Sequence, residues 1–348
     1  MRVLVTGSSG LVGSAAVRHW DTLGADVVGL DNDMRSEFFG PSGSTKWNLQ
    51  HLLRDTKRFT HQAIDIRDRE AVGDLFQRMS FDLVIHCAAQ PSHDKAKEIP
   101  LLDFDVNAGG TINLLEATRQ HCEDAVFCHM STNKVYGDAP NELPLVETPT
   151  RWEYARDEDF HGIDEECRID RTTHSLFGAS KAAADLVAQE YGRYFGLKVG
   201  IFRGGCLTGA GHSGVELHGF LSYLVHVAVK KKPYTIFGYK GKQVRDQIES
   251  ADVVAAFEAF YNAPRPGEVY NLGGGRENSA SVLECIDMIR HVSGHEVDFT
   301  LSDVNRVGDH ICYISDLRKF RSHFPQWKIQ SDLESIVGRM VEMEVQKE

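Results

Sequence analysis

Three glycines at three-residue spacing, set between a strand and a helix, constrain this chain more than any other feature. Met1–Val5 reads as a short apolar strand, and Thr6-Gly7-Ser8-Ser9-Gly10-Leu11-Val12-Gly13 opens a helix predicted over Ser14–Leu23. In a strand-to-helix turn the first glycine permits the tight bend. The second lets backbone approach a pyrophosphate, and the third lets helix pack on strand. The helix N-terminus then offers free N–H groups and a partial positive charge to the anion. A second strand, Asp26–Leu30, ends in Asp31. An acid about 20 residues beyond the glycines suits the ribose hydroxyls of NAD and repels the 2′-phosphate of NADP.

The alternation continues through the first half. Asp82–His86 reads as a buried strand running into Cys87-Ala88-Ala89, Asn107–His121 as a helix, and Ala125–Ser131 as a further strand. This predicts an α/β fold, a Rossmann-type doubly wound parallel sheet with helices on both faces. Ligands of such sheets bind beyond the carboxyl ends of the strands. The informative turns are therefore 6–13, 31–35, 65–68, 86–94 and 131–138. The polar stretch Pro140–Thr173 reads as a long loop or lid, and Ser180–Phe195 as a helix. We expect residues 1–180 to form the NAD-binding domain, with one or two later segments returning to its sheet. Residues 181–348 are expected to form mainly a smaller mixed α/β substrate-binding lobe.

Bulk properties narrow the classes. A net charge of −12 argues against a nucleic-acid partner, and 42% hydrophobic residues supply a sizeable core. No apolar run reaches the roughly 20 residues that span a bilayer, so no membrane partner is expected. The first strand takes up the very first residues, so no signal peptide is expected before it. Seven cysteines without a CxxC pair read as reduced thiols, and together these predict a cytoplasmic protein. The five-residue gap between His212 and His218 fits no common zinc spacing, so no metal is expected.

Gly7-x-x-Gly10-x-x-Gly13, Asp31, Asp65-Ile66-Arg67-Asp68, His86-Cys87-Ala88-Ala89, Asn107, Ser131-Thr132 with Val135-Tyr136-Gly137, and Gly178-x-Ser180-Lys181 span nearly the whole chain. On these motifs the chain resembles the extended short-chain dehydrogenase/reductases. Within that family, Ser131-Thr132-Asn133-Lys134-Val135-Tyr136-Gly137-Asp138, Lys242-Gln243-Val244-Arg245-Asp246 and Asn271-Leu272-Gly273-Gly274 resemble the CDP-paratose 2-epimerases. The family's nucleotide-sugar 4,6-dehydratases place an Asp-Glu pair where this chain has Asn133-Lys134. The resemblance implies an NAD-dependent nucleotide-sugar epimerase, with a CDP-sugar favoured and 2-epimerisation through a transient ketone. It also implies a homodimer formed through the helices near Asn107 and Ser180, with Leu114, Leu115, Ala183, Ala184 and Val187 as candidate contacts. Implied cofactor contacts are Gly7, Ser9, Gly10, Leu11, Gly13, Asp31, Asn32, Asp65, Ile66, Ala88, Ala89, Asn107 and Lys181. Implied substrate contacts are Gln90, His93, Asn133, Cys206, Arg245, Arg306 and Asp309. Thr132 takes the role of the hydroxyl that hydrogen-bonds the reacting oxygen, and Lys181 that of the ribose-binding cation.

One role has no heir. The family's catalytic tyrosine precedes its lysine by four residues on one helix face, and that position is Phe177. Phenylalanine cannot exchange a proton. Candidate bases are Tyr136, on the same turn as Thr132, then His174, Lys134 and Cys206. Three readings stay open: 2-epimerisation, another NAD-dependent nucleotide-sugar conversion (4-epimerisation or dehydration), and NAD or sugar-nucleotide binding without turnover.

Overall fold

The structure is a computed structural model, and it describes residues 1–209, 211, 214, 219–304 and 308–346. Seven parallel strands make its central sheet: β1 (Arg2–Thr6), β2 (Asp26–Leu30), β3 (Phe59–Gln62), β4 (Leu83–His86), β5 (Val126–Thr132), β6 (Lys198–Gly204) and β7 (Glu268–Leu272), in the order β7-β6-β5-β4-β1-β2-β3. The order reverses at β1, so a crevice opens beyond the carboxyl ends of β1 and β4, where such sheets take ligands.

Strand periodicity sorts the side chains onto two buried faces. Val3, Val5, Ile85 and Cys128 face α1 (Leu11–Thr22) and the helix Ser250–Asn262, packing with Val17, Trp20, Val254 and Phe257. Leu4, Val84 and Phe127 face the opposite way, onto Leu114 and Leu115 of α3 (Gly110–His121) and Ala188 and Tyr191 of α4 (Leu176–Phe195). Burial on both faces explains the near-continuous apolar runs of the strands. Leu114 and Leu115 are spent on this packing, and they and Ala184 are wholly buried. The large apolar side chains left exposed around α3 and α4 are Leu101, Phe104, Ile112, Leu176, Leu186, Tyr194 and Phe195.

The remaining lobe has its own core. Leu224 and Val225 of Phe220–Val229, Ile286 and Ile289 of Val282–Ser293, and Ile336 and Val337 of Leu333–Val345 pack together. The strand Val244–Glu249 links the lobe to the sheet, pairing with Ser279–Ser281, Cys312–Tyr313 and Cys206–Thr208. The β6 and β7 segments, from beyond residue 180, complete the sheet edge next to β5.

The polar stretch 140–173 is more ordered than a lid. Leu145–Glu147 and Trp152–Tyr154 form an antiparallel pair, Tyr154 and Ile163 are buried, and Ile163 bridges to Ser315. Scattered aromatic and β-branched residues, without a repeating period, anchor this segment singly. Among the described residues no helix is long and apolar enough to cross a membrane, and no group of three or more His, Cys, Asp or Glu could hold a metal ion. His212 and His218 lie outside the described residues.

Candidate active site

A cavity of ≈ 490 Å³ runs from the glycine turn, past the ends of β4 and β5, to the strand Val244–Glu249. Its floor is built by close approach. Gly7 has φ +65°, and a Cβ there would lie 2.8 Å from the Ala88 nitrogen; a Cβ on Gly13 would lie 2.0 Å from the Gly7 carbonyl oxygen. No side chain fits either position. Gly10 caps α1 without a side-chain hydrogen bond, and no acid stands in the first turn. The first N–H groups of α1 therefore face the cavity without a capping side chain. Asp31 closes the far side. Its Oδ2 accepts from the Ser9 N–H at 2.9 Å, and its Oδ1 accepts from the Asp33 N–H at 2.9 Å. Asn32 donates to Asp65 Oδ2 at 3.1 Å, and Ile66 and Ala89 complete this wall. An uncapped helix end, a Cβ-free turn and a flanking acid fit the pyrophosphate and ribose of a dinucleotide.

The middle of the cavity holds Thr132, Asn133, Lys134, Phe177 and Lys181. Lys181 is buried and its Nζ donates to the Met130 carbonyl at 2.9 Å. Burial lowers its pKa to about 8, partly offset by Asp185 and Asp103. The Thr132 hydroxyl accepts from the Lys134 N–H at 3.2 Å. Phe177, one turn before Lys181, is 6% exposed and sits 5.1 Å from the His93 ring, centroid to centroid.

At the third end Lys134 and Arg245 converge on one carboxylate. Asp309 Oδ1 accepts from Arg245 Nη2 at 2.5 Å and from Lys134 Nζ at 3.2 Å. Burial alone would raise the Asp309 carboxyl, but the two cations, Arg245 foremost, hold it well below the usual range. Lys134 is lowered by burial, with Asp309 opposing. The Cys206 thiol is pushed up to about 11 by burial, so it stays protonated at neutral pH.

Several expected residues lie elsewhere. Tyr136 is fully buried and does not line the cavity. Its hydroxyl donates to Asn271 Oδ1 at 2.8 Å and accepts from Arg203 Nη1 at 3.1 Å, and burial, partly offset by Arg203, raises it well above the phenol range. Val-Tyr-Gly here packs the turn rather than arming it. His174 Nε2 donates to the Val135 carbonyl at 2.7 Å, outside the cavity wall, because α4 starts only at Leu176 behind a Ser175 cap. Gln90 is wholly buried and donates to the Ser92 carbonyl and to Asp103, so it faces inward rather than toward a sugar. Asn107 bonds Gln90, Asp103 and Ser180 and braces the Ala88-Ala89 turn from behind. Ser9 likewise holds the glycine turn to Asp31 and, through its carbonyl, to Asn48. Arg306 lies outside the described residues.

The cavity also includes residues that sequence reading missed. Arg35 stands beside Asp31, and burial lowers its pKa to about 10. Tyr223, on the helix Phe220–Val229, and Tyr234 and Phe237, on the strand Tyr234–Phe237, bring aromatic rings from two segments. Gln243 and Gln247 flank the expected Arg245 on one face of Val244–Glu249 and its preceding residue, a period-2 signal present in the sequence. Both polar atoms of Gln247 and the Oε1 of Gln243 are buried without a hydrogen-bond partner. Such orphans in a cavity wall mark polar atoms awaiting a ligand or water.

Comparison with known proteins places this arrangement. Residues 3–273 match the family described as "NAD dependent epimerase/dehydratase family". The CDP-paratose 2-epimerase of Salmonella typhi is 33% identical over 326 residues, 92% of each chain. A dTDP-glucose 4,6-dehydratase of Escherichia coli is 28% identical over 358 residues, 98% of this chain and 92% of the relative. The UDP-glucose 4-epimerase of Bifidobacterium longum, solved with NAD+ and UDP, shares the fold with a TM-score of 0.82 at 23% identity, covering 99% of this chain and 98% of that one. A matched segment that contains the glycine turn, Thr132, Lys181 and Arg245 leads to one conclusion: this chain belongs to the NAD dependent epimerase/dehydratase family, whose cofactor is NAD.

Proposed function

We propose that the protein is a nucleotide-sugar epimerase that inverts C2 of a CDP-sugar through a transient ketone. The observation that carries the reading is the single cavity joining the α1 N-terminus, the Thr132–Lys181 centre and the Arg245–Lys134 pair. The assignment of C2 and of the cytidine nucleotide rests on the Salmonella typhi relative, the most specific guide to substrate among the proteins compared. Bound NAD supplies the hydride acceptor for a carbinol carbon and the donor for its return, so no net redox change occurs.

The chain's residues take the following roles in this reading. The first turn of α1 holds the pyrophosphate, and Asp31, Asn32 and Asp65 hold the adenosine end. Lys181, kept cationic below about pH 8, binds the nicotinamide ribose. The Thr132 hydroxyl donates to the reacting oxygen and stabilises charge that develops there. Arg245 and Lys134 meet the diphosphate, for which guanidinium is the better bidentate partner. Gln243 and Gln247 meet polar groups of the sugar nucleotide. Asn133 and Lys134 offer no acid pair for eliminating water, which sets dehydration aside.

Phe177 supports a second reading, binding without turnover, because it removes the usual proton acceptor. Incubation with CDP-, UDP- and dTDP-sugars in deuterated solvent, followed by NMR of the ring protons, separates the two. A C2 epimer of a CDP-sugar is expected. Binding without any spectral change of the sugar would establish the second reading instead.

A further inference from the structure

The proton acceptor is unsupplied by the residues that the sequence nominates. Tyr136 is locked between Asn271 and Arg203, and His174 is turned to the Val135 carbonyl. Lys134 is ion-paired with Asp309, and the Cys206 thiol holds its proton at neutral pH. Phe177 fills the tyrosine position with a ring that bears no ionisable group.

A titratable side chain, His93, rests against that ring. His93 is the first residue of α2 (His93–Glu98), directly after the turn that carries Ala88 and Ala89. Its imidazole lies 5.1 Å from the Phe177 ring, centroid to centroid, with the planes at 52°. A Cβ at Gly308 would come within 4.0 Å of its Nδ1. Gly308 in turn receives the Lys134 ammonium on its carbonyl at 3.1 Å. His93 therefore lies near both the Phe177 ring and the Gly308 backbone, and it lines the same cavity as Thr132 and Lys181.

Resting on the epimerase reading above, we propose that His93 exchanges the sugar's hydroxyl proton in place of the tyrosine that Phe177 replaces. The step balances. As the carbon-bound hydrogen leaves as hydride to the nicotinamide, the O–H bond breaks, its proton goes to an imidazole nitrogen, and C–O becomes C=O. After the ketone presents its other face, hydride returns to carbon and the imidazolium gives its proton back to oxygen. Histidine is the side chain most suited to this exchange at neutral pH. Phe177 then serves as an apolar wall against the imidazole rather than as a vestige.

The test uses the NAD-loaded full chain, with CDP-paratose, CDP-glucose, UDP-glucose and dTDP-glucose as probes. His93→Gln keeps hydrogen bonding but cannot accept the proton. Turnover should fall about 10²- to 10⁴-fold, while calorimetry shows the sugar-nucleotide affinity within about threefold of wild type. Adding Phe177→Tyr to His93→Gln should restore at least about tenfold of the lost rate. Turnover by His93→Gln within about threefold of wild type overturns the proposal and leaves the epimerase reading standing. A parallel loss of affinity and turnover, or no recovery in the double variant, also overturns it. A wild-type protein that converts none of the four probes overturns the epimerase reading and this proposal together.

Discussion

Tyr136→Phe separates a structural hydroxyl from a catalytic one. The hydroxyl lies in a fully buried network: it donates to Asn271 Oδ1 at 2.8 Å and accepts from Arg203 Nη1 at 3.1 Å. Arg203 also forms a buried ion pair with Asp185, Nη2 to Oδ1 at 2.8 Å, and Asp185 accepts from the Ser131 hydroxyl at 2.6 Å. Removing the oxygen orphans one buried amide acceptor and one donor of a charged group. An orphaned buried partner costs about 1–3 kcal/mol, so the pair should cost about 2–6 kcal/mol. The ring remains, and with it the stacking under the Arg203 guanidinium at 4.9 Å. An unfolding entropy of roughly 2.1 cal/mol/K per residue gives about 0.7 kcal/mol/K for 348 residues. The melting temperature should fall by about 3–8 °C. Thermal denaturation of the NAD-loaded protein reads this shift, and turnover at 25 °C should stay within about threefold of wild type. A rate loss of a hundredfold or more with unchanged melting would refute the reasoning and return Tyr136 to the reaction.

Other consequences are equally direct. NAD affinity should weaken as pH rises through about 8, because burial lowers the Lys181 ammonium and only its protonated form serves the ribose. The loss should approach tenfold per pH unit well above that value, and a dissociation constant flat from about pH 6.5 to about pH 9.5 would contradict it. Gln247→Leu should raise the melting temperature of the ligand-free chain, because it removes two buried orphan atoms. The same change should weaken CDP-sugar binding about 2- to 10-fold, and unchanged affinity by calorimetry rules the contact out. NAD should bind more tightly than NADP, and Asp31→Ser should narrow the gap; equal affinities in wild type would sink this. A homodimer should form through the exposed Leu101, Phe104, Ile112, Leu186, Tyr194 and Phe195, and a monomer's mass by light scattering at micromolar concentration would exclude it.

The sequence by itself determined the type of sheet, the glycine turn and the family. Asp26–Leu30 was placed to the residue, and the strands read at Met1–Val5, Asp82–His86 and Ala125–Ser131 to within one, whereas β3, β6 and β7 were not placed individually. Local rules suffice there: a buried parallel strand is a continuous apolar run, and the glycine spacing states where no Cβ fits. Phe177 was equally legible, since a four-residue offset on a helix is fixed by its pitch. Tertiary structure alone decided which polar residues meet the cavity. Gln90 and His93 lie three residues apart after the same strand. The first is buried against Asp103 and Ser92, and the second lines the cavity against Phe177. Tyr136 and Thr132 share a turn, yet β6 and β7 supply Arg203 and Asn271 to enclose one and leave the other open. Those partners stand 67 and 135 residues from Tyr136 in the chain. No local periodicity carries that distance, so only the assembled sheet settles which side chain meets the substrate.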